Sequence, residues 1–218
     1  MLILVVDTST PAVTAAVVEA DETTIAMSEG RVVVNPRAHG EQLTPLIEAE
    51  LAARGAVPGD LGAVVAGLGP GPFTGLRAGL VTAAALSHAL DIPSYGVCSL
   101  DGIGARTAGR VFVATDARRK EVYWAVYADG KRVEGPEVAE PAAVADRATT
   151  ADACHGDGVH RYADVLGVTP GGPPRYPHPG RLAWTARDRI TDGAPSEDLT
   201  PLYLRRPNVN IAGVQQRA

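Results

Sequence analysis

Metal and disulfide chemistry leave little trace in this chain. It has two cysteines, Cys98 and Cys154, and no Cys-x-x-Cys. That leaves no disulfide framework and no cysteine-rich zinc site, and it fits a reducing cytoplasm. The five histidines are His39, His88, His155, His160 and His178. None forms the i, i+4 pair that sets two imidazoles on one helix face. Aromatics are 5% of residues and the net charge is −5. The aromatic-basic interleaving of many RNA-binding surfaces is missing, and there is no overall electrostatic pull on nucleic acid. No apolar run is long enough to span a membrane. The opening MLILVVDTST has no basic region or cleavage site, so it reads as a buried strand and not a signal peptide. The expectation is a cytoplasmic protein with no membrane partner.

What is present suits an ordered α/β protein. The 218 residues are 45% apolar and 21% charged, enough for one large or two small domains. Leu2 to Val6 is a continuous apolar run followed by turn chemistry at Asp7 to Pro11. Val13 to Val18 predicts a returning strand, continued by Thr23 to Met27 and Arg31 to Val33. A helix is expected from Ala38 to Arg54, kinked or restarted at Pro45. Ala63 to Gly67 reads as a strand, and Thr74 as the N-cap of a helix to Leu90. Gly75, Gly79, Ala83 and Ser87 make a small-residue stripe along that helix. After Pro93 a strand to Val97 leads into a helix from Ser99.

The plan then restarts. Val111 to Thr115 ends in Asp116, and Glu121 to Tyr127 alternates into the Asp129-Gly130 hairpin signal. Helices over 141–147 and 159–166 flank a strand at 152–155, and Pro179 opens a last helix to Ile190. Two βββα halves, the second truncated, each with an Asp closing its first strand, match the actin/hexokinase/Hsp70 (ASKHA) α/β class. The expected lobes are 1–106 and 107–206, with a tail at 207–218.

The glycine-rich loop GLGPGPFTG, residues 67–75, raises the question of phosphate binding. It lacks the Gly-Lys-Ser/Thr ending of a P-loop, and Pro70 and Pro72 remove backbone N–H donors. A tight turn letting a helix pack close to a sheet is the favoured reading. Arg77, in the first turn, is either an anion contact or a partner-facing charge. Asp7, Thr8 and Asp116 are candidate nucleotide contacts; the plainer alternative is that each Asp closes a turn. His155, Asp157 and His160 are the only local metal-like cluster, more simply read as a loop. Ser9 has no neighbouring base, and no Gly-x-Ser-x-Gly elbow is present. Cys98 lies in an apolar run, where a thiol is an inert core residue.

VVDTST, Arg37 to Ile47 (RAHGEQLTPLI), GLGPGPFTGLRAGL, DARRKEVYWA and PLYLRR together resemble the TsaB (YeaZ-type) family, over residues 1–127 and again 200–206. The resemblance implies a non-catalytic subunit of tRNA threonylcarbamoyladenosine biosynthesis. It would dock a TsaD-like catalytic subunit and a TsaE-like ATPase, meet tRNA only through that complex, and form a homodimer when alone. It implies no intrinsic cofactor, with ATP or ADP a candidate at the subunit junction. TsaD-like proteins carry a metal-binding His-x-x-x-His where this chain has Ser99 and Ile103, so catalytic and metal residues are both expected to be none. The N-terminal lobe is the expected docking surface, through Leu43, Leu46, Ile47, Arg77, Leu80 and Ala84, with Leu46 and Leu80 facing outward. The alternative is an independent ATP-dependent phosphotransferase or metallopeptidase of the same fold class.

Overall fold

Alternation along the first strand sets the layers. In β1 (Leu2–Asp7), Leu4 and Val6 join one core while Ile3 and Val5 join another on the opposite face. A strand covered on both sides reads as an unbroken apolar run. The structure, a computed structural model, describes residues 1–21, 24–28 and 30–205; the expected tail at 207–218 lies outside them.

β1 pairs antiparallel with β2 (Ala12–Glu19), which pairs antiparallel with β3 (Arg31–Val34). On its other edge β1 runs parallel to β4 (Leu61–Gly67), and β4 to β5 (Ser94–Val97). The five-stranded order is β3-β2-β1-β4-β5. The second sheet contains β6 (Arg110–Asp116), β7 (Val122–Ala128), β8 (Lys131–Ala139) and β9 (Ala153–His155). Its order, β8-β7-β6-β9, repeats that of the first sheet without a counterpart of β5 among the described residues. The Asp129–Gly130 turn joins β7 to β8, with φ 47° and 76° at its two residues, the left-handed backbone a two-residue hairpin needs.

Two helices, α1 (His39–Ala53) and α2 (Phe73–Leu90), cover one face of the first sheet. α3 (Asp101–Gly104) supplies Ile103 to a core with Val111, Val113 and Tyr127. On the far side of the second sheet, α4 (Ala145–Thr149) and α5 (Asp157–Leu166) pack on Phe112, Trp124 and Val126. The chain then returns: Leu182 and Ala183 of α6 (Pro179–Thr185) and Ile190 of α7 (Arg187–Thr191) pack beneath Ile3, Val5 and Ala16 of the first sheet. Residues 179–191 thus follow the second sheet in sequence and cover the first in space.

Several expectations are corrected. α1 runs through Pro45 unbroken; Pro45 and Glu41 are both exposed, so the carbonyl freed by the missing N–H meets water. The N-cap of α2 is Pro72, not Thr74. Pro72 is extended (φ −61°, ψ 133°) and its carbonyl accepts the first helical bond, from Leu76 N–H. The strand expected at Thr23 to Met27 is one bridge, Ala20 to Ile25, with Thr23 outside the described residues. Leu46 and Leu80 do not face outward. They are 8% and 6% exposed and lie in one core with Leu43 and Ile47, because α1 and α2 turn their large aliphatic side chains onto the sheet.

Candidate functional site

The glycine-rich loop and the β1–β2 turn are built against each other. Thr8 donates its hydroxyl proton to Gly75 O (2.8 Å) and accepts the Gly79 N–H (3.0 Å). A Cβ on Gly79 would lie 2.5 Å from Thr8 Oγ1, and one on Gly71 would overlap the Ser9 carbonyl. The small stripe therefore admits the turn, and the loop packs a helix close to a sheet. Asp7 is 1% exposed. Its Oδ1 accepts from the Ser9 N–H (2.9 Å) and hydroxyl (2.7 Å), and its Oδ2 accepts from the Ser99 hydroxyl. Burial pushes its pKa up, while the hydroxyls of Ser99 and Ser9 pull the other way. The polar atoms of Asp7 and Thr8 are thus engaged within the fold, while Thr8 also lines the cavity described below.

Asp116 closes β6 with a separate set of partners. It accepts the Arg118 N–H (3.1 Å) and the Tyr162 hydroxyl (3.3 Å), and Arg161 lies 3.6 Å away. Its own N–H donates to Asp157 Oδ1 at 3.4 Å. Burial pushes the Asp157 carboxyl up to about 6; the Asp116 N–H bond pulls it back down, and the Asp116 charge pushes it up. Asp157 is therefore paired with Asp116 and not with the histidines beside it in sequence. His155 bonds the Gly172 carbonyl and His160 is exposed.

Arg118, Arg119 and Lys120 follow Asp116 with φ of 64°, 53° and 63°, a left-handed run that costs non-glycine residues free energy. Arg118 joins the two lobes. Its N–H is held by Asp116, and it also lines a cavity of about 360 Å³ with Thr8, Thr10, Arg37, His39 and Thr74. His39 donates Nε2–H to the Thr10 carbonyl at 2.8 Å. Arg37 and Arg118 come from segments far apart in sequence, which is why no local motif revealed this cavity.

The outer face of α2 starts at the edge of that cavity, which Phe73 also lines. Phe73, 44% exposed, stacks on Tyr203 with ring centroids 5.1 Å apart. Arg77 lies 3.6 Å over the Phe73 ring and donates Nε–H to the Tyr203 hydroxyl at 2.9 Å. Val81, 67% exposed, and Ala84 continue the face. Of the six expected docking residues, Arg77 and Ala84 are on the surface, and Leu43, Leu46, Ile47 and Leu80 are beneath it.

The catalytic metal of TsaD-like proteins does not fit here. Ser99 gives its hydroxyl to Asp7, and Ile103 is fully buried among apolar side chains. Among the described residues, no group of three or more His, Cys, Asp or Glu is placed to hold a metal ion. Both cysteines are buried and free, with burial pushing Cys98 up to about 12 and Cys154 to about 11. No helix of the described residues is long and apolar enough to cross a membrane.

Two sheets of matching strand order, each with an Asp closing its first strand, define an ASKHA-related α/β protein. The model of the TsaD family, tRNA N6-adenosine threonylcarbamoyltransferase, matches residues 16–175, and the chain belongs to that family. Within it the chain is similar to the TsaB (YeaZ-type) members. YeaZ from Pseudomonas aeruginosa has a TM-score of 0.73 at 29% identity, covering 93% of this chain and 99% of that one. The tRNA threonylcarbamoyladenosine biosynthesis protein TsaB of Escherichia coli is 37% identical over 132 residues, 58% of this chain and 55% of that protein. An uncharacterized protein of Mycobacterium tuberculosis is 48% identical over 212 residues, 97% of this chain and 95% of that one.

Proposed function

We propose that this chain is a non-catalytic docking subunit in tRNA N6-threonylcarbamoyladenosine biosynthesis. It pairs with a TsaD-like catalytic subunit through the outer face of α2 and presents the resulting pair to a TsaE-like ATPase. The observation that carries the reading is the Phe73–Arg77–Val81 face, an apolar strip held rigid by the Tyr203 stack and open to solvent. Rigid exposed aromatics with an arginine are the composition of an interface centre. A partner drawn from the family that the chain matches would have the same fold and carry an equivalent helix. Two related lobes can then pair about a pseudo-two-fold axis, and the chain alone would pair with a second copy of itself.

In this reading the catalytic step belongs to the partner: the Ser99 hydroxyl is committed to Asp7, and Ile103 is buried and offers no ligand atom. ATP or ADP at the junction would be met by Arg37 and Arg118 at the mouth of the cavity. tRNA reaches this subunit through the assembled complex, in keeping with the charge of −5. The test is reconstitution of threonylcarbamoyl transfer to tRNA from purified subunits. Omitting this chain should abolish transfer, and the chain alone should have none. Full transfer without it would refute the role.

A further inference from the structure

A second cavity, of about 560 Å³, opens where the two lobes meet, and the docking role makes no use of it. Three segments line it: the exit of α3 (Asp101 to Arg106), the β7–β8 turn (Tyr127 to Arg132) and the α6–α7 junction (Trp184 to Asp188). Its three carboxylates are already engaged. Asp101 accepts the Tyr127 hydroxyl at 2.7 Å and pairs with Arg132 at 3.5 Å. Asp129 accepts the Gly109 N–H at 2.9 Å, and Asp188 takes Arg187 at 2.7 Å. Arg106 and Lys131 line the same cavity and have no carboxylate in ion-pair range among the described residues.

The cations are arranged around a ring. The Arg106 guanidinium lies 4.2 Å and the Arg187 guanidinium 4.3 Å from the Trp184 ring centroid. Arg106 is held there from below. Its backbone has φ 60°, and a Cβ on Gly130 would lie 2.6 Å from its N. Arg187 already has Asp188 beside it, whereas Arg106 has no carboxylate in range among the described residues, so an anion at Arg106 would meet an uncompensated cation next to a half-buried indole. Guanidinium planes and an indole edge also offer stacking surface to a flat heteroaromatic ring.

We propose that this cavity binds one nucleotide unit. Its phosphate would sit between Arg106 and Lys131, and its base against the Trp184–guanidinium cluster. A free mononucleotide and a single-stranded RNA segment both carry that chemistry.

Trp184 is its own reporter. The other tryptophan, Trp124, is 2% exposed in the second core. With Trp124→Phe as background, Trp184 fluorescence is titrated with AMP, adenosine, inorganic phosphate and a short single-stranded oligoadenylate. AMP is expected to change the signal with at least tenfold tighter binding than adenosine or phosphate alone. Oligoadenylate binding much tighter than AMP, with a steep salt dependence, would identify RNA as the source; equal or weaker binding would identify the free nucleotide. Arg106→Ala and Lys131→Ala, checked for native circular dichroism, should each weaken binding about tenfold, and Arg106→Lys should recover only part of the loss. The same titrations followed by calorimetry on the unmutated chain guard against a folding defect in the background variant. The proposal is overturned if neither AMP nor oligoadenylate binds below millimolar, if phosphate alone binds as well as AMP, or if both alanine variants bind like the parent.

Discussion

The Ser99 hydroxyl donates to Asp7 Oδ2 at 2.5 Å, joining residues 92 positions apart. Ser99 also accepts the Gly69 N–H at 2.9 Å and donates its own N–H to Gly69 O at 2.7 Å. One small side chain therefore fastens the end of β1 and the glycine-rich loop to the segment after β5. At a position where TsaD-like relatives are expected to hold a metal, this chain holds its own carboxylate.

Ser99→Ala leaves a buried carboxylate one donor short and Gly69 N–H without its acceptor. A loss of about 2–3 kcal/mol is expected, the range for orphaning buried groups next to a charge. Urea unfolding checks it: the midpoint should fall with an unchanged slope. A midpoint within error of the parent would show that Asp7 is held without Ser99.

Asp157 makes stability depend on pH. Its folded pKa is about 6 against 3.8 unfolded, so the folded state binds more protons than the unfolded state between those values. Its contribution therefore declines as pH rises from about 4 to 6 and stays low above. The difference corresponds to about 3 kcal/mol. Asp157→Asn removes the titration, so the variant should gain on the parent by that order between pH 4 and pH 7. Unfolding both proteins at pH 4, 5 and 7 measures the gap, and a constant gap would exclude the shift.

Two glycines should respond in opposite senses to alanine. At Gly71 a Cβ would overlap Ser9 backbone, which has no flexible end to move aside, so Gly71→Ala should cost several kcal/mol or prevent folding. At Gly40, in the first turn of α1, a Cβ meets nothing within 4 Å. Gly40→Ala should be neutral or stabilise by up to about 1 kcal/mol. Thermal melts of the two variants decide both.

Elements with a strong local signal were legible in sequence. β1 and β6 announce themselves as apolar runs ending in Asp, and Asp129–Gly130 as a hairpin. What depends on distant segments was not. Nothing in residues 179–191 shows that α6 and α7 return to the first sheet. Arg37 and Arg118 come to line one cavity, and Arg106 meets Trp184, only after folding. On α2 the apolar positions are dense enough that periodicity alone leaves the facing of Leu80 and Val81 open by one residue. Packing of Leu80 against the sheet settles it.

That one-residue shift separates two outcomes for the docking face. Leu80 is 6% exposed in the core under α2, while Val81 is 67% exposed on the outside. A glutamate at 80 would bury a charge with no partner, so Leu80→Glu should fail to fold. A glutamate at 81 points to water, and Val81→Glu should leave the circular dichroism spectrum and melting temperature close to the parent. If the Phe73–Arg77–Val81 face receives a partner helix, the same glutamate is desolvated on binding and faces apolar surface. Affinity for the TsaD-like subunit should then fall at least tenfold, with self-association of the isolated chain weakened in parallel. Arg77→Ala loosens Phe73 and Tyr203 by removing both the cation over the ring and the bond to the hydroxyl, and should weaken the same complex without unfolding the chain. Titration calorimetry against the partner and sedimentation velocity of the chain alone read both effects. A folded Val81→Glu protein that binds its partner at parental affinity would remove α2 from the interface and move the search to another face of the lobe.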